Sequence, residues 1–495
     1  MHRLAWFGRV CAGWLALSLL MLGSACTVGP DFSRPPAPTP SGYLRDAQPS
    51  TVAAQGQEQR FLPGSEVSPY WWRLFQSAPL DALVDQAIAH NMTLQGAEAS
   101  LRRSQDTLMA GYGVFYPQLD AHFGAGRERS APIQQGQSTP GSVFNVLTLS
   151  GTISYTLDVF GGERRTVEGL QAQVDQQQWL MQAAYLTLTA NVVNTAIARA
   201  AYTAQIEATQ QLIELQKQQL QSTQAQVRSG TAPYSSSLSV QSLIASNEAS
   251  LPALKQKVSQ AEHLLATLEG AMPSQLFLPD IPLSGLSLPK DLPVSLPSVL
   301  VRQRPDILAA EAQLHQASAD IGVATAAMFP SFSLTGTYGT AGASAGSLFA
   351  GAGRFWSVGP SMDIPVFQGG RLWYGRQAAI DAYQQAAANY RQVVLESFAQ
   401  VADALKALEF DAQAVQKQAE AQATAQEALR LLQANYRAGL VTYLELLAAD
   451  VQLHQVNIAY LQALAQRHQD TVGLFVALGG GWWNRPDAAA QRPAP

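Results

Sequence analysis

The sequence predicts a mostly α-helical protein with a small antiparallel β component, built from one unit that occurs twice. Short motifs recur in the same order about 205 to 213 residues apart, which indicates duplication of a whole domain. Four segments alternate apolar and polar side chains with the period of a strand, and two stretches of about 66 residues keep a helical pattern without a break. Each unit is therefore expected to run from a helix through two strands into a long helical hairpin.

The composition excludes several classes of protein. Only 14% of the 495 residues are charged and the formal net charge is −5, so the chain lacks the basic surface of a nucleic-acid-binding protein. Its two cysteines, Cys11 and Cys26, are too few for a disulfide framework or a cysteine-rich zinc site.

The N-terminus has the features of an export signal. Arg3 and Arg9 precede an apolar stretch at residues 10–22, which is too short to cross a bilayer as a mature helix. Small residues then lead to Cys26, which predicts cleavage after residue 25 and a covalent lipid on the Cys26 thiol. A signal peptide without lipidation, followed by an incidental cysteine, remains the alternative.

The duplication divides the chain into segments. Residues 1–25 are the signal peptide, and the Pro-, Ser-, Gln- and Gly-rich residues 26–78 are expected to form an extended tether. The two copies of the unit are predicted at residues 79–271 and 299–481. A Pro-rich connector of polyproline II character, residues 272–298, joins them, and residues 482–495 form a C-terminal tail.

The strands alternate between an apolar and a polar face. The apolar positions are Leu119, Ala121, Phe123 and Ala125 in the first strand, Leu147, Leu149, Ile153, Tyr155 and Leu157 in the second, Phe332, Leu334 and Tyr338 in the third, and Trp356, Val358, Met362 and Ile364 in the fourth. This pattern is typical of membrane strands of about 9–11 residues, and equally of a soluble sandwich with one solvated face. Four strands cannot close a barrel, whereas a dimer would supply eight and a trimer twelve. The Ser- and Thr-rich face suits a water-filled lumen, which favours the larger number.

The long helices favour an assembly over a compact soluble domain. The helical stretches at residues 163–228 and 371–437 would each be about 100 Å long, which a compact domain cannot contain. Tight turns at Gly230 and Gly439 are expected to reverse the chain into return helices. Two such hairpins cannot bury themselves fully, so other chains must complete the structure.

No motif supports catalysis or metal binding. The seven histidines are scattered without metal-ligand spacing. Gly342, Ser344 and Gly346 match the nucleophile-elbow pattern of hydrolases, but they lie in a loop between two strands, whereas the elbow requires a strand-to-helix turn. Ser287 and Lys290 match a Ser-x-x-Lys pattern inside the Pro-rich connector. We therefore expect no enzyme, no metal and no cofactor beyond the lipid.

Three groups of residues carry a resemblance to a known family. They are Cys26-Thr27-Val28-Gly29-Pro30-Asp31-Phe32 after the signal, Trp71-Trp72-Arg73-Leu74-Phe75 before the first helix, and Arg304-Pro305-Asp306-Ile307 with Ala310-Glu311 at the start of the second unit. With them the chain resembles the outer-membrane efflux lipoproteins, the NodT-type branch of the TolC family, over nearly its whole mature length.

The resemblance implies an architecture and a set of partners. It implies a homotrimer whose four strands per chain complete a twelve-stranded barrel in the outer membrane, above an α-helical tunnel across the periplasm. It also implies a tripartite pump with a periplasmic adaptor (membrane fusion) protein and an inner-membrane transporter, commonly of the resistance–nodulation–division type. Efflux of drugs or other small molecules is the expected function. A TolC-like channel for type I protein secretion is the alternative, and a periplasmic adaptor fits the duplication less well.

The resemblance also indicates a gate. In similar channels the periplasmic tip is narrowed by hydrophobic and acidic side chains just after the second turn. Leu444 matches a constricting leucine, Glu445 occupies a position that is acidic in some members, and Ala448 replaces a common aspartate. Asp450 is a weaker candidate because it lies roughly 140° from Glu445 around a helix. Glu445 and Asp450 could instead simply solvate a helix start. The turns at Gly230 and Gly439 are the expected contacts to the adaptor or pump.

Overall fold

The computed structural model describes residues 27–39, 42–46, 50–129, 141–275 and 278–485. The predicted signal peptide and Cys26 lie outside these ranges. Helices dominate the described chain. The longer ones are α1 (Ala78–His90), α2 (Met92–Gly111), α3 (Gly162–Arg228), α4 (Tyr234–Leu268), α5 (Pro305–Ala326), α6 (Arg371–Arg437) and α7 (Tyr443–Ala477). The strands are β1 (Thr51–Ala54), β2 (Gln57–Pro63), β3 (Gln118–Arg129), β4 (Val143–Leu157), β5 (Asp291–Val294), β6 (Ser331–Gly342) and β7 (Arg354–Asp363).

The duplication is visible in the helix boundaries. Helices α3 and α6 each have 67 residues, and helices α4 and α7 each have 35. Every boundary recurs 209 residues later, at residues 162 and 371, 228 and 437, 234 and 443, and 268 and 477. The predicted long helical hairpins and their repetition are confirmed.

Four strands form one antiparallel sheet in the order β3-β4-β6-β7. Its register aligns the apolar positions of the four strands, so that Leu119 faces Ile153 and Tyr338 faces Trp356. The polar positions are aligned in the same way, and the Thr152 and Thr337 hydroxyl groups lie 3.2 Å apart. The period-two alternation therefore gives the sheet one apolar and one polar face.

A second sheet forms where an extended tether and connector were expected. Strands β1 and β2 of the tether pair antiparallel, and β2 pairs in parallel with β5 of the connector. Phe61 and Leu292, which face each other across this parallel pair, are both buried. The structure thus differs from the sequence prediction here because residues 50–63 and 291–294 bury apolar side chains by pairing with each other.

The helix predicted at the start of the first unit is interrupted at Asn91. The side-chain amide of Asn91 donates to the carbonyl of Leu268 at 2.8 Å, while its side-chain oxygen accepts from the N–H of Leu94 at 2.9 Å. Asparagine is a favoured N-cap, and here it ends α1 and begins α2.

The chain divides into two compact units, each assembled from segments of both repeats. The first takes the described parts of residues 1–34, 101–177 and 310–390, and holds the four-stranded sheet and a core around Leu108, Val167 and Val174. The second takes residues 35–100, 178–309 and 391–495, and holds the three-stranded sheet. Its buried aromatic side chains include Trp71, which stacks on Phe475 with 5.6 Å between ring centroids. Among the described residues, no helix combines the length and apolarity needed to cross a membrane.

Candidate functional site

The two predicted hairpin turns lie at the ends of the long helices. Gly230 and Gly439 have φ of +76° and +75°, in the left-handed region that glycine adopts without steric cost. In the second turn, the N–H of Gly439 donates to the carbonyl of Tyr436, and the N–H of Leu440 donates to that of Asn435. This is the Schellman arrangement, which satisfies the last carbonyls of a helix. The backbone conformation, rather than a lack of space, requires glycine at both turns, since a Cβ there would meet no atom within 4 Å.

Glu445 has a structural role at the start of α7. The backbone N–H of Thr442 donates to its carboxylate oxygen Oε2 at 3.3 Å, which is the Glu half of a capping box. The spacing Thr-x-x-Glu is typical of this motif. The sequence analysis considered only a general role for Glu445 at a helix start. The Glu445 side chain remains exposed, so capping leaves its charge available to a neighbouring surface.

Leu444 points away from the body of its own unit. Its side chain is 72% exposed, and Ala448, one turn further along α7, is exposed on the same face. An exposed leucine beside an exposed carboxylate is the arrangement that the gate prediction needs.

Asp450 points elsewhere. The side-chain amide of Gln216 in α3 donates to its carboxylate at 3.3 Å, and the Gln216 oxygen accepts from Asn247 of α4 at 3.0 Å. Burial raises the pKa of Asp450 above its ordinary value. Asp450 therefore connects α7 to α3 and α4, and the structure does not bring it together with Leu444 and Glu445.

Tyr436 and Tyr443 belong to the same region, and sequence reasoning did not identify them. The Tyr436 hydroxyl group donates to the side-chain oxygen of Gln226 at 3.0 Å, and the two tyrosine rings lie 5.8 Å apart, edge to face. Burial is the main cause that raises the pKa of Tyr443 to about 12. With Gln216 and Asp450 they line a cavity of about 600 Å³. The only sequence signal was a surplus of glutamine on α3, which by itself indicates no partner.

The residues that follow the predicted lipid site are held against the first unit by hydrogen bonds, an ion pair and a ring stack. The N–H of Val28 donates to the carbonyl of Phe160 at 3.0 Å, and the buried Arg165 guanidinium holds the Asp31 carboxylate at 2.6 Å. Phe32 stacks on His315 with 4.3 Å between ring centroids. Residues 27–34, here termed the N-terminal strap, therefore fix the start of the described chain against the first unit.

The motifs that resembled catalytic ones have structural roles. Ser344 is the N-cap of a one-turn helix, where its hydroxyl oxygen accepts from the N–H of Ser347 at 3.3 Å. The two ring nitrogens of the buried His468 lie 2.8 Å and 3.3 Å from the carbonyls of Leu464 and Leu286. Within the described residues, no group of three His, Cys, Asp or Glu side chains is placed to hold a metal ion.

Comparison with known proteins gives consistent matches over most of the chain. The family model described as "Outer membrane efflux protein" matches residues 83–271 and 296–480. Pyoverdine export outer membrane protein OpmQ of Pseudomonas aeruginosa is 28% identical over 97% of this chain and 100% of its own. Outer membrane protein OprJ of the same organism is 30% identical over 95% of this chain and 96% of its own. The solved structure of the outer-membrane channel OprN superimposes with a TM-score of 0.83 at 27% identity, covering 92% of this chain and all of that one.

Proposed function

The chain belongs to the outer membrane efflux protein family, and from that premise we propose that three copies close one twelve-stranded barrel continued by an α-helical tunnel. The protein is the outer-membrane channel of a tripartite efflux pump and extends into the periplasm. The family resemblance drawn from the sequence is thereby confirmed. Membership of a channel family also confirms that the chain is not an enzyme.

The unpaired edges of the four-stranded sheet support the proposal that three copies share one barrel. Its outermost strands, β3 and β7, each have one hydrogen-bonded neighbour among the described residues. An open edge in hydrocarbon leaves backbone groups unsatisfied, so membrane sheets are closed. Pairing β7 of one copy with β3 of the next closes the sheet, with the apolar face toward lipid. The polar face then lines a lumen wide enough for water at twelve strands.

The long helices support the tunnel. Helices α3 and α6 leave large apolar side chains exposed in the single chain, among them Leu395 and Phe410 of α6. In a trimer, helices of neighbouring copies would cover such residues. At the tip, the turns at Gly230 and Gly439 are proposed to contact the periplasmic adaptor. An inner-membrane transporter is proposed to complete the pump.

 The proposed transporter is of the resistance–nodulation–division type, as the resemblance implies.

We place the gate at Leu444 and Glu445. Three copies of Leu444 would form an apolar constriction, and three copies of Glu445 an acidic ring that favours cations. Leu444→Ala is expected to raise the single-channel conductance in planar bilayers. Glu445→Gln is expected to lower cation preference, and it is a clean test because glutamine also completes a capping box.

Asp450 supplies the matched control for the gate. Asp450→Asn removes a carboxylate from the same helix, but one that already faces Gln216 within its own unit. We expect it to leave ion preference unchanged. If Leu444→Ala and Glu445→Gln both conduct like the wild type, or if Asp450→Asn alone alters selectivity, the gate lies elsewhere in the hairpin tips.

Small molecules are the proposed cargo. OpmQ, which matches 97% of this chain over its own whole length, is named for export of pyoverdine, and this name supports the proposal. The alternative is a channel for type I protein secretion, which would need the same barrel and tunnel. Accumulation of a fluorescent drug in cells with and without the gene tests the first function, and a survey of the secreted proteins tests the second.

The trimer is tested by mass and by conductance. The mass of the detergent-solubilised protein should be about three times that of one chain, and a purified trimer should give one conductance level per insertion event. A monomeric mass, or three independently closing levels, would contradict a shared barrel.

Cys26 is the proposed lipid attachment site. It precedes the N-terminal strap, whose first hydrogen bond joins Val28 to Phe160, three residues after the end of β4. Because the strap is docked from its beginning, the lipid would be held near the strand ends that the proposed barrel places in the membrane.

A further inference from the structure

The first unit contains a joint between the two repeats. Phe160, which follows β4 of the first repeat, stacks on Phe329, which precedes β6 of the second, with 4.7 Å between ring centroids and 24° between ring planes. Next to this stack the Arg165 side chain crosses Gly322 so closely that a Cβ there would lie 2.7 Å from the Arg165 Cγ. The corner after the second strand of one repeat thus packs against the corner before the first strand of the other.

Because the unit is duplicated, each residue of this joint has a counterpart in the other repeat. The motif Val159-Phe160-Gly161-Gly162 recurs as Val366-Phe367-Gln368-Gly369-Gly370, so Phe367 is the counterpart of Phe160. The helix offset of 209 residues makes Tyr374 the counterpart of Arg165. The motif offset of 213 residues pairs Phe329 with Tyr116 and Gly322 with Met109.

The single chain leaves all four counterparts exposed, two of them after β7 and two before β3, and each pair is here termed a patch. Patch 1 consists of Phe367, which is 86% exposed, and Tyr374, which is 72% exposed. Patch 2 consists of Met109, which is 62% exposed, and Tyr116, which is 68% exposed. Large apolar side chains exposed in such groups mark interaction surfaces.

The two patches cannot meet within one chain. Patch 1 follows β7 and patch 2 precedes β3, and these strands are the opposite edges of the same four-stranded sheet. Contact between two different patches on identical copies is a heterologous contact, which closes only in a ring.

We propose that patch 1 of one copy packs on patch 2 of the next, with Phe367 against Tyr116 and Tyr374 against Met109. The joint within a chain is thereby repeated between chains. This inference rests on the proposed trimer and names the residues that hold it together beside the barrel.

The two joints differ in chemistry. Within a chain, Arg165 forms ion pairs with Asp31 and Glu168, and Glu168 lies 2.9 Å from the His315 ring. At the corresponding positions between chains, the 209-residue offset places Tyr374 and Gln377 where Arg165 and Glu168 stand. The joint between copies therefore depends on apolar burial, which salt does not screen.

Site-directed cross-linking tests the proposal. The mature chain has no cysteine other than the proposed lipid site, so Tyr116→Cys with Phe367→Cys introduces the only free thiols. A short bismaleimide should convert the double variant into covalent dimers and trimers that persist in hot detergent. Either single variant should remain monomeric under the same treatment.

A matched pair controls for random collision. Phe349 is 75% exposed, close to Phe367, but lies in the loop between β6 and β7, at the other end of these strands. Tyr116→Cys with Phe349→Cys should therefore give no cross-link. If the first pair stays monomeric in hot detergent while its native mass is that of a trimer, the inference fails and the proposed trimer stands. If the native mass of the wild type is that of a monomer, the proposed function fails first.

A charge pair keeps the test decisive if the cysteines impair assembly. Tyr374→Glu should reduce the trimer fraction by about tenfold, because it places an unpaired carboxylate in an apolar contact. Adding Met109→Lys should restore most of the trimer by supplying the opposite charge across the interface. Absence of rescue, in a variant whose helical content matches the wild type, would overturn the proposal.

Discussion

Arg304 tests how the second unit is held together. Its buried guanidinium donates to the carbonyl of Ala477 at 2.9 Å and to that of Ser397 at 3.4 Å. It also donates to the Gln400 side-chain oxygen at 2.8 Å and to the Asp306 carboxylate at 2.6 Å. One side chain therefore joins the start of α5, the middle of α6 and the end of α7.

The cost of removing Arg304 follows from these partners. Breaking a buried ion pair costs about 3–5 kcal/mol, because the groups left behind lose their partner without regaining water. Asp306 is 42% exposed and regains water, which lowers the cost, whereas the Ala477 and Ser397 carbonyls lose a charged donor. We expect Arg304→Ala to cost about 3–4 kcal/mol per chain.

That cost corresponds to a small but measurable change in melting temperature. Unfolding entropy of roughly 2.1 cal/mol/K per residue gives about 1 kcal/mol/K for a chain of 495 residues. Arg304→Ala should therefore melt about 3–4 °C lower, if the chain unfolds as one cooperative unit. Circular dichroism of the detergent-solubilised protein, recorded at one fixed scan rate, measures the shift.

Two variants accompany the measurement. Arg302 is exposed two residues away, and Arg302→Ala should melt within about 1 °C of the wild type. Arg304→Lys keeps the charge but loses the planar fork that reaches several acceptors at once, so it should fall between the two. A melting temperature of Arg304→Ala equal to that of Arg302→Ala would refute the reasoning.

Three further predictions follow from single residues. Cys26→Ser should abolish incorporation of a clickable fatty acid, and a wild type that takes no label would contradict the lipid site. Burial, with the hydrogen bond and charge of Asp470, raises the pKa of Asp411 to about 7 from an ordinary 3.8, so the folded state keeps a proton that the unfolded chain releases. The contribution of Asp411 to stability should therefore fall as the pH rises from about 4 to about 7 and level off above. The melting temperature of Asp411→Asn relative to the wild type should rise over that window, and a constant difference would show that Asp411 does not retain this proton. Gly439→Ala should destabilise by about 1 kcal/mol through its left-handed φ, whereas Gly473→Ala, inside α7 with open space at its Cβ, should be neutral or stabilising in the same melts.

The parts of the fold that depend on local periodicity were predictable from the sequence. The long helices and the strands of the four-stranded sheet repeat their patterns over many residues, and the turn at Gly439 carries its own conformational signal. The three-stranded sheet was not predictable in this way. Strands β1 and β5 have four residues each, and β2 finds its parallel partner β5 more than 220 residues along the chain. Short strands whose partners are distant in the sequence have too few alternating residues to be predicted.

The candidate gate residues show the same difference between local patterns and distant contacts. Leu444 and Glu445 were identified by their position after a recognisable turn, and their exposure agrees with a role at a surface shared between copies. Asp450 looked similar in the sequence, but its carboxylate accepts from Gln216, which is more than 230 residues away. Several glutamines on one long helix are equivalent in sequence, so only packing determines which of them meets an acid.

The contrast between the two joints bears on the order of assembly. The joint of Phe160 with Phe329 forms within one chain and is reinforced by Arg165 and the N-terminal strap, so a single copy can complete it alone. Its proposed counterpart, Phe367 against Tyr116, requires a second copy. Until that copy arrives, a chain exposes both apolar patches together with the unpaired edges of β3 and β7. Exposed apolar surface and open strand edges promote aggregation in water. Formation of the joints between copies should therefore accompany insertion of the sheet into the membrane rather than precede it.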